Sequence, residues 1–354
     1  MILYYKTKIL ISGLFPMLNF EIDGFIEKRG LYNENMIDVN DPDYIFYSSG
    51  HLLNSIYSCK EVKGAFYEYF ENENLIKYEV NDAVSKKQIK EKIMQEQFTK
   101  VNLLQKKIRL LTGFGITLPI FKTMIYDENN NFFSYVAGIN WEMSVLKAED
   151  YNNDMKNKLS QRLHLYIADS TVSNLENKNI RYKRALNFYL KSFESMDIGV
   201  RFILLFSSLE SLFNLTGKNV TKEITKYASK ILFLDSSQEN NSKWNLKTYY
   251  NIRSNYIHGN GKYILNEHIE NNLREYVREI LLIYWNISVV YNITNANKMK
   301  VLINNTNMNN LDLQVQLFVK YLRTPPKHYR KLYNQIRSEF LNKNNFILSN
   351  KKIM

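Results

Sequence analysis

The feature that most constrains this chain is a change of hydrophobic rhythm near residue 153. Before it, short apolar runs at 4–11, 44–47, 65–70, 116–126 and 132–139 alternate with turn-forming residues, the pattern of strands. After it, long segments with helical spacing take over, and Gly and Pro become sparse. Two differently built halves are expected, and a length of 354 residues gives each enough chain to bury a core.

Within the first half, Asp127, Glu128, Asn129, Asn130 and Asn131 stand between two apolar runs and read as a hairpin loop. Residues 85–111 break the strand pattern. They hold no Gly or Pro, and Ile89, Ile93, Phe98, Val101, Leu104, Ile108 and Leu111 recur at helix-like intervals. A hinge is expected at 149–154, with helices at 155–176, 179–195, 197–215, 221–234, 243–258 and 267–291 that a bundle would package. Residues 292–310 are polar and Asn-rich, with a weak apolar run at 301–303, and read as a linker. Two further helices are expected, one over 311–322 and one carrying Tyr329, Leu332, Tyr333, Ile336 and Phe340, with a break at Pro325 and Pro326. The expected class is α+β: a mixed β-rich domain over 1–152, a helical bundle over 153–291, and a linker with a C-terminal helical extension over 292–354.

Charge and composition narrow the function classes. A formal net charge of +12 and a sequence pI near 9.3 favour polyanionic partners such as RNA, although a solvated basic surface gives the same count. The lone cysteine, Cys59, excludes an internal disulfide framework and a CxxC metal site, and fits a reducing, cytoplasmic setting. Lys6 and Lys8 interrupt the apolar start, so it reads as a strand and not as a signal peptide. The best membrane candidate, 280–291, contains Asn286 and falls short of the roughly 20 apolar residues a span needs, so no membrane partner is expected. His51, His164, His268 and His328 have no ligand-spaced neighbours, so neither a metal nor another cofactor is expected. Residues 1–150 contain no Gly-rich phosphate loop and no nucleophile elbow. The basic segment with Arg323, Lys327, His328, Arg330, Lys331, Arg337 and Lys343 reads as the solvated face of a packed helix, with an RNA-guiding surface as the alternative.

The most informative segment is 249–261. Arg253 and His258 form an R-x4-H pattern, and Gly259 follows at once, where a glycine ends a helix. Cleavage of RNA through its own 2′-hydroxyl needs a base for that proton, an acid for the leaving 5′-oxygen and a cation for the charge growing on phosphorus. Histidine suits the proton work, and arginine offers a permanently charged bidentate fork. A helix-capping histidine beside a structural arginine would leave the same pattern. Five helical residues turn about 500°, leaving the two groups about 140° apart. They converge only if the last turn loosens or a second copy of the motif approaches. In the segment 197–215, Glu210 interrupts a stripe of Ile203, Phe206 and Phe213, and a carboxylate there calls for a partner. Arg253 is the expected one.

Residues 202–213, with their Leu-Glu-Ser-Leu-Phe ending, together with Ile252-Arg-Ser-Asn-Tyr-Ile-His-Gly259, resemble the Apea-like branch of the HEPN superfamily over about 180–291. The resemblance implies a four- or five-helix bundle that dimerises, or forms a larger even-numbered oligomer, so that two motifs build one composite site. It also implies metal-independent endoribonuclease activity of the kind found in antiphage defence, toxin systems and abortive infection. Carried onto this chain, Arg253 would bind the scissile phosphate, His258 would act as acid or base, and Glu210 would support the arginine. Ser254 stands where many active members have Asn, Asp or His, with Asn255 one step later, so either residue is a candidate for the assisting role. The β-rich half would be a sensor or regulator, and restraint by it or by a protein partner is expected. A non-catalytic RNA-binding or assembly module is the alternative.

Overall fold

The computed structural model describes residues 1–10, 21–22, 25–31, 66–72, 75–80, 85–113, 115, 117–118, 120–140, 179–215, 219–232, 236–259, 265–290 and 293–305. The chain divides into two compact units, the first taking 1–156, 186–208 and 252–278, the second 157–185, 209–251 and 279–354. An antiparallel sheet occupies the N-terminal part and helices dominate elsewhere, so the class is α+β. The run at 44–47, the hinge at 149–154, and the expected helices at 155–176, 311–322 and around 329–340 lie outside the described residues.

In the first unit the sheet is built from β1 (Ile2–Leu10), β2 (Glu21–Ile22), β3 (Phe25–Leu31), β4 (Phe66–Asn72), β5 (Ile76–Glu79), β6 (Ile120–Asp127) and β7 (Phe132–Ile139). Their order is β2-β3-β4-β1-β6-β7, with β5 also paired to β1. β4 takes the end of β1 (Lys8↔Glu71 to Leu10↔Tyr69) and β5 its beginning (Ile2↔Glu79 to Tyr5↔Ile76), so two short strands share one edge. Along β1 the side chains of Leu3, Tyr5, Thr7 and Ile9 are buried while Tyr4, Lys6 and Lys8 are half-buried, the period of two that a one-sided sheet requires. The β6–β7 connection is the hairpin expected at 127–131. Asp127 Oδ1 accepts the amides of Asn129 (2.9 Å) and Asn131 (2.8 Å), and Asn130 takes a left-handed φ of 61°.

Helix α1 (Lys86–Thr112) opens on a capping box between Ser85 and Gln88 and ends at Gly113, whose φ is 76° and whose amide donates to Arg109 O at 2.9 Å. Ile89 and Ile93 pack with Leu3, Tyr5, Ile125 and Val136 in one apolar cluster. Phe98 was expected on this face but is 36% exposed, and Gln97 is buried in its place, accepting a bond from Thr7 Oγ1 at 3.0 Å. The step from Ile93 to Phe98 is five residues, which carries the side chain about 140° off the stripe.

The remaining described helices are α2 (Ile180–Lys191), α3 (Ile198–Phe213), α4 (Val220–Leu232), α5 (Ser236–Ile257), α6 (Glu267–Val290) and α7 (Ala296–Asn305). α2 stops short of residue 195. Ser192 Oγ donates to Tyr189 O at 2.5 Å, a local side-chain bond that competes with a further helical turn. α5 starts before the expected residue 243, in a polar run without apolar periodicity. α7 lies inside the segment read as a linker. Asn295 caps it, accepting the amides of Asn297 (2.8 Å) and Lys298 (3.3 Å), and Ala296, Met299 and Ile303 are buried at steps of three and four. Within the second unit α7 packs on α4 through Lys300 Nζ–Glu223 (3.3 Å) and a bond from Asn304 Nδ2 to Tyr227 Oη (3.4 Å). The unit's core stacks Tyr182 on Tyr284 at 6.3 Å and sets Phe213 edge-on to Tyr284 at 6.1 Å. Burial pushes the Tyr284 hydroxyl up to about 12, opposed by a hydrogen bond from Asn179 and the charge of Arg181. Among the described residues no helix is long and apolar enough to cross a membrane.

Candidate functional site

The R-x4-H segment forms the end of α5. Tyr249 and Ile252 are buried, Arg253, Ser254 and Asn255 are half-buried, and His258 and Gly259 are exposed. The α-type bond from the His258 amide to Ser254 O is kept at 3.0 Å, and the Gly259 amide closes the end on Tyr256 O at 3.3 Å. Gly259 has a φ of 69°, and a Cβ there would meet nothing within 4 Å, so the backbone conformation alone calls for glycine. Because the helical bond persists through His258, the last turn has not loosened, and Arg253 and His258 keep the angular separation of a regular helix, about 140°.

Tyr256 and Ile257, at the end of the same helix, are each 46% exposed. Tyr256 has a specific partner within the first unit. Its hydroxyl donates to Asp197 Oδ1 at 3.1 Å, and the same carboxylate oxygen accepts the Val200 amide at 2.9 Å, capping the start of α3. The bond from Val200, together with that from Tyr256, holds the Asp197 carboxyl below its usual value, and the Asp197 carboxylate raises the Tyr256 phenol. The Tyr256 ring fills the space above Gly199, where a Cβ would come within 2.0 Å of Cζ.

A buried ionic cluster belongs to the same unit. Glu270, with no exposed surface, receives Arg274 and lies 3.5 Å from Arg201 Nε. Arg201 also donates to Ser195 O (3.2 Å) and Met196 O (3.1 Å), and so pins the turn that leads into α3. Arg274 donates to Ser192 Oγ at 2.7 Å and lies 4.4 Å from the Phe193 ring centre. The guanidinium of Arg109, at the end of α1, lies 5.8 Å from that ring, and its Nη1 is 3.7 Å from a Glu194 carboxylate oxygen. Burial lowers Arg274 from the usual guanidinium range while Glu270 raises it. Tyr189 is fully buried beside these groups, and burial pushes its hydroxyl far up.

Glu210 is half-buried on α3, with Phe206 and Phe213 buried and Ile203 half-buried around its stripe. It belongs to the second unit, whereas Arg253, Ser254, Asn255 and His258 belong to the first. Sequence reasoning missed Asp197, Gly199, Arg201 and Glu270. An aspartate at the first position of an expected helix is a legible capping signal, but its partner Tyr256 lies 59 residues away, and no local pattern connects them. Among the described residues no group of His, Cys, Asp or Glu is arranged to hold a metal ion. His268 meets Asn272 Nδ2 at 3.2 Å, while His51, His164, His328, Cys59 and the basic segment 323–343 lie outside the described residues. Comparison with known proteins gives no matching family, no matching curated protein and no matching solved structure.

Proposed function

We propose that this protein is a metal-independent endoribonuclease of the HEPN kind, active as a homodimer or larger even-numbered oligomer. Its substrate is cellular RNA, tRNA or mRNA, and its role is to halt growth as a cytoplasmic effector of antiphage defence or a toxin system. The observation that carries the reading is the end of α5, where a half-buried Arg253 and an exposed His258 flank a regular last turn closed by Gly259. In the proposed reaction a base removes the 2′-hydroxyl proton, the 2′-oxygen bonds to phosphorus, and the bond to the 5′-oxygen breaks as an acid protonates it. His258 fills one of these proton roles, and Arg253 neutralises the phosphate. Ser254 or Asn255 assists. The angular separation of Arg253 and His258 supports a composite site in which the two groups act from opposite sides of a subunit interface. Residues 1–152 or a protein partner restrain the enzyme.

The test is cleavage of cellular RNA in EDTA by the purified full chain. His258→Ala and Arg253→Ala are expected to lose about 10²- to 10⁴-fold in rate. Cleavage by both variants at the rate of the unsubstituted protein would remove this reading. The exposure of Ile257 beside His258 favours a second reading, an assembly or RNA-binding module without catalysis. Stable RNA binding by a protein that leaves every RNA intact would select it.

A further inference from the structure

We infer that Tyr256, Asp197 and Gly199 form a latch that fixes the rotational setting of the R-x4-H turn, with Tyr256 as a positioning residue for Arg253 and His258. The catalytic part of this inference rests on the function proposed above. Helix ends fray, because their last carbonyls lack intrahelical partners, and the motif occupies such an end. Tyr256 is the penultimate residue of α5. Its hydroxyl is bonded to Asp197 Oδ1 at 3.1 Å and its ring occupies the space left open at Gly199. The anchor point is itself fixed: Asp197 caps α3 through Val200, and Arg201, one residue further on, grips Ser195 O and Met196 O and faces buried Glu270.

Helical geometry gives the latch its effect. Arg253 lies three residues before Tyr256 and therefore on nearly the same face, about 60° away, while His258 lies about 200° round from Tyr256. Tying Tyr256 to α3 sets the Arg253 face towards the body of the unit and leaves His258 outward. A composite site needs that setting if each copy is to offer its histidine to the other. Gly199 is the discriminating residue. A side chain there has no space unless the Tyr256 ring leaves, and the hydrogen bond to Asp197 leaves with it.

Hydrogen–deuterium exchange on the full chain tests the anchor, read on the peptide covering 252–259. Tyr256→Phe keeps the ring and removes the donor, and Gly199→Ala displaces the ring. Both are expected to raise exchange there severalfold, with the β6–β7 hairpin unchanged as a control for folding. The catalytic consequence is read on RNA cleavage, where both variants should lose about tenfold in kcat with KM little changed. Asp197→Asn keeps an oxygen for the Val200 amide and the Tyr256 hydroxyl, so it should recover most of what Asp197→Ala loses. Unchanged exchange in Tyr256→Phe and Gly199→Ala overturns the latch. Raised exchange with unchanged kcat overturns its positioning role. His258→Ala cleaving at the full rate would instead remove the nuclease reading, and exchange alone would then decide whether the anchor exists.

Discussion

Arg253 and His258 sit in different surroundings although one helix carries both. The arginine is half-buried and the histidine is exposed. In the proposed 2′-hydroxyl cleavage, an arginine held against the protein would suit the phosphate and an exposed histidine the proton transfer. At the same scale Asp197 makes an acid-sensitive contact. Its carboxyl is held below the ordinary aspartate value by the Val200 amide and then by Tyr256. The stability it contributes is present above the unfolded-state pKa and is lost as pH falls through the lower folded-state value, from about pH 4 downward. Thermal unfolding across that range should therefore fall more steeply for the unsubstituted protein than for Asp197→Asn. Parallel pH profiles for the two would show that the carboxylate has no such linkage.

Among the elements, the buried ionic cluster and α7 make separable claims. Removing the Glu270 carboxylate leaves Arg201 and Arg274 buried without their shared partner, so Glu270→Ala should cost about 3–5 kcal/mol in denaturant unfolding. A loss below about 1 kcal/mol would mean that solvent reaches the cluster. Met299 is fully buried on α7, and Met299→Ala should cost about 2–5 kcal/mol if α7 belongs to the cooperative core. No effect on the unfolding midpoint would return α7 to the status of a linker.

Elements whose signal is local were the legible ones: β1, β4, β6, β7, the β6–β7 hairpin, α1, and α2 to α6 to within a few residues except at the start of α5. The 2-residue β2, the 4-residue β5 and β3, with its charged centre, offered little periodicity. α7 was hidden by asparagines, of which Asn295 proved to be the cap. Within the site, the R-x4-H segment was visible because its residues are adjacent in sequence. The Asp197–Tyr256 bond and the Arg109–Glu194 pair were not, since contacts between distant residues leave no mark on local spacing.

For the whole molecule, the proposed composite site predicts complementation between chains. If Arg253 of one copy works with His258 of another, mixing the inactive Arg253→Ala and His258→Ala proteins under conditions of subunit exchange regenerates intact pairs. About half of random dimers are mixed and each holds one of two possible pairs, so about a quarter of full activity should return. A mixture as inactive as its components would place the chemistry within one chain.

The discontinuity of the first unit also bears on how the chain is made. β1 is the earliest strand, but its ladder with β6 joins Leu3 to Asp127, and the unit also includes residues 186–208 and 252–278. Arg109, buried at the end of α1, meets Glu194 only after that residue has been synthesised, and Arg201 in turn waits for Glu270. At about 5–20 residues per second, a ribosome needs many seconds to supply these counter-charges after the sheet has emerged. The sheet's ladders close within residues 2–139, whereas the unit as a whole is complete only once the turn that carries Arg253 and His258 has emerged.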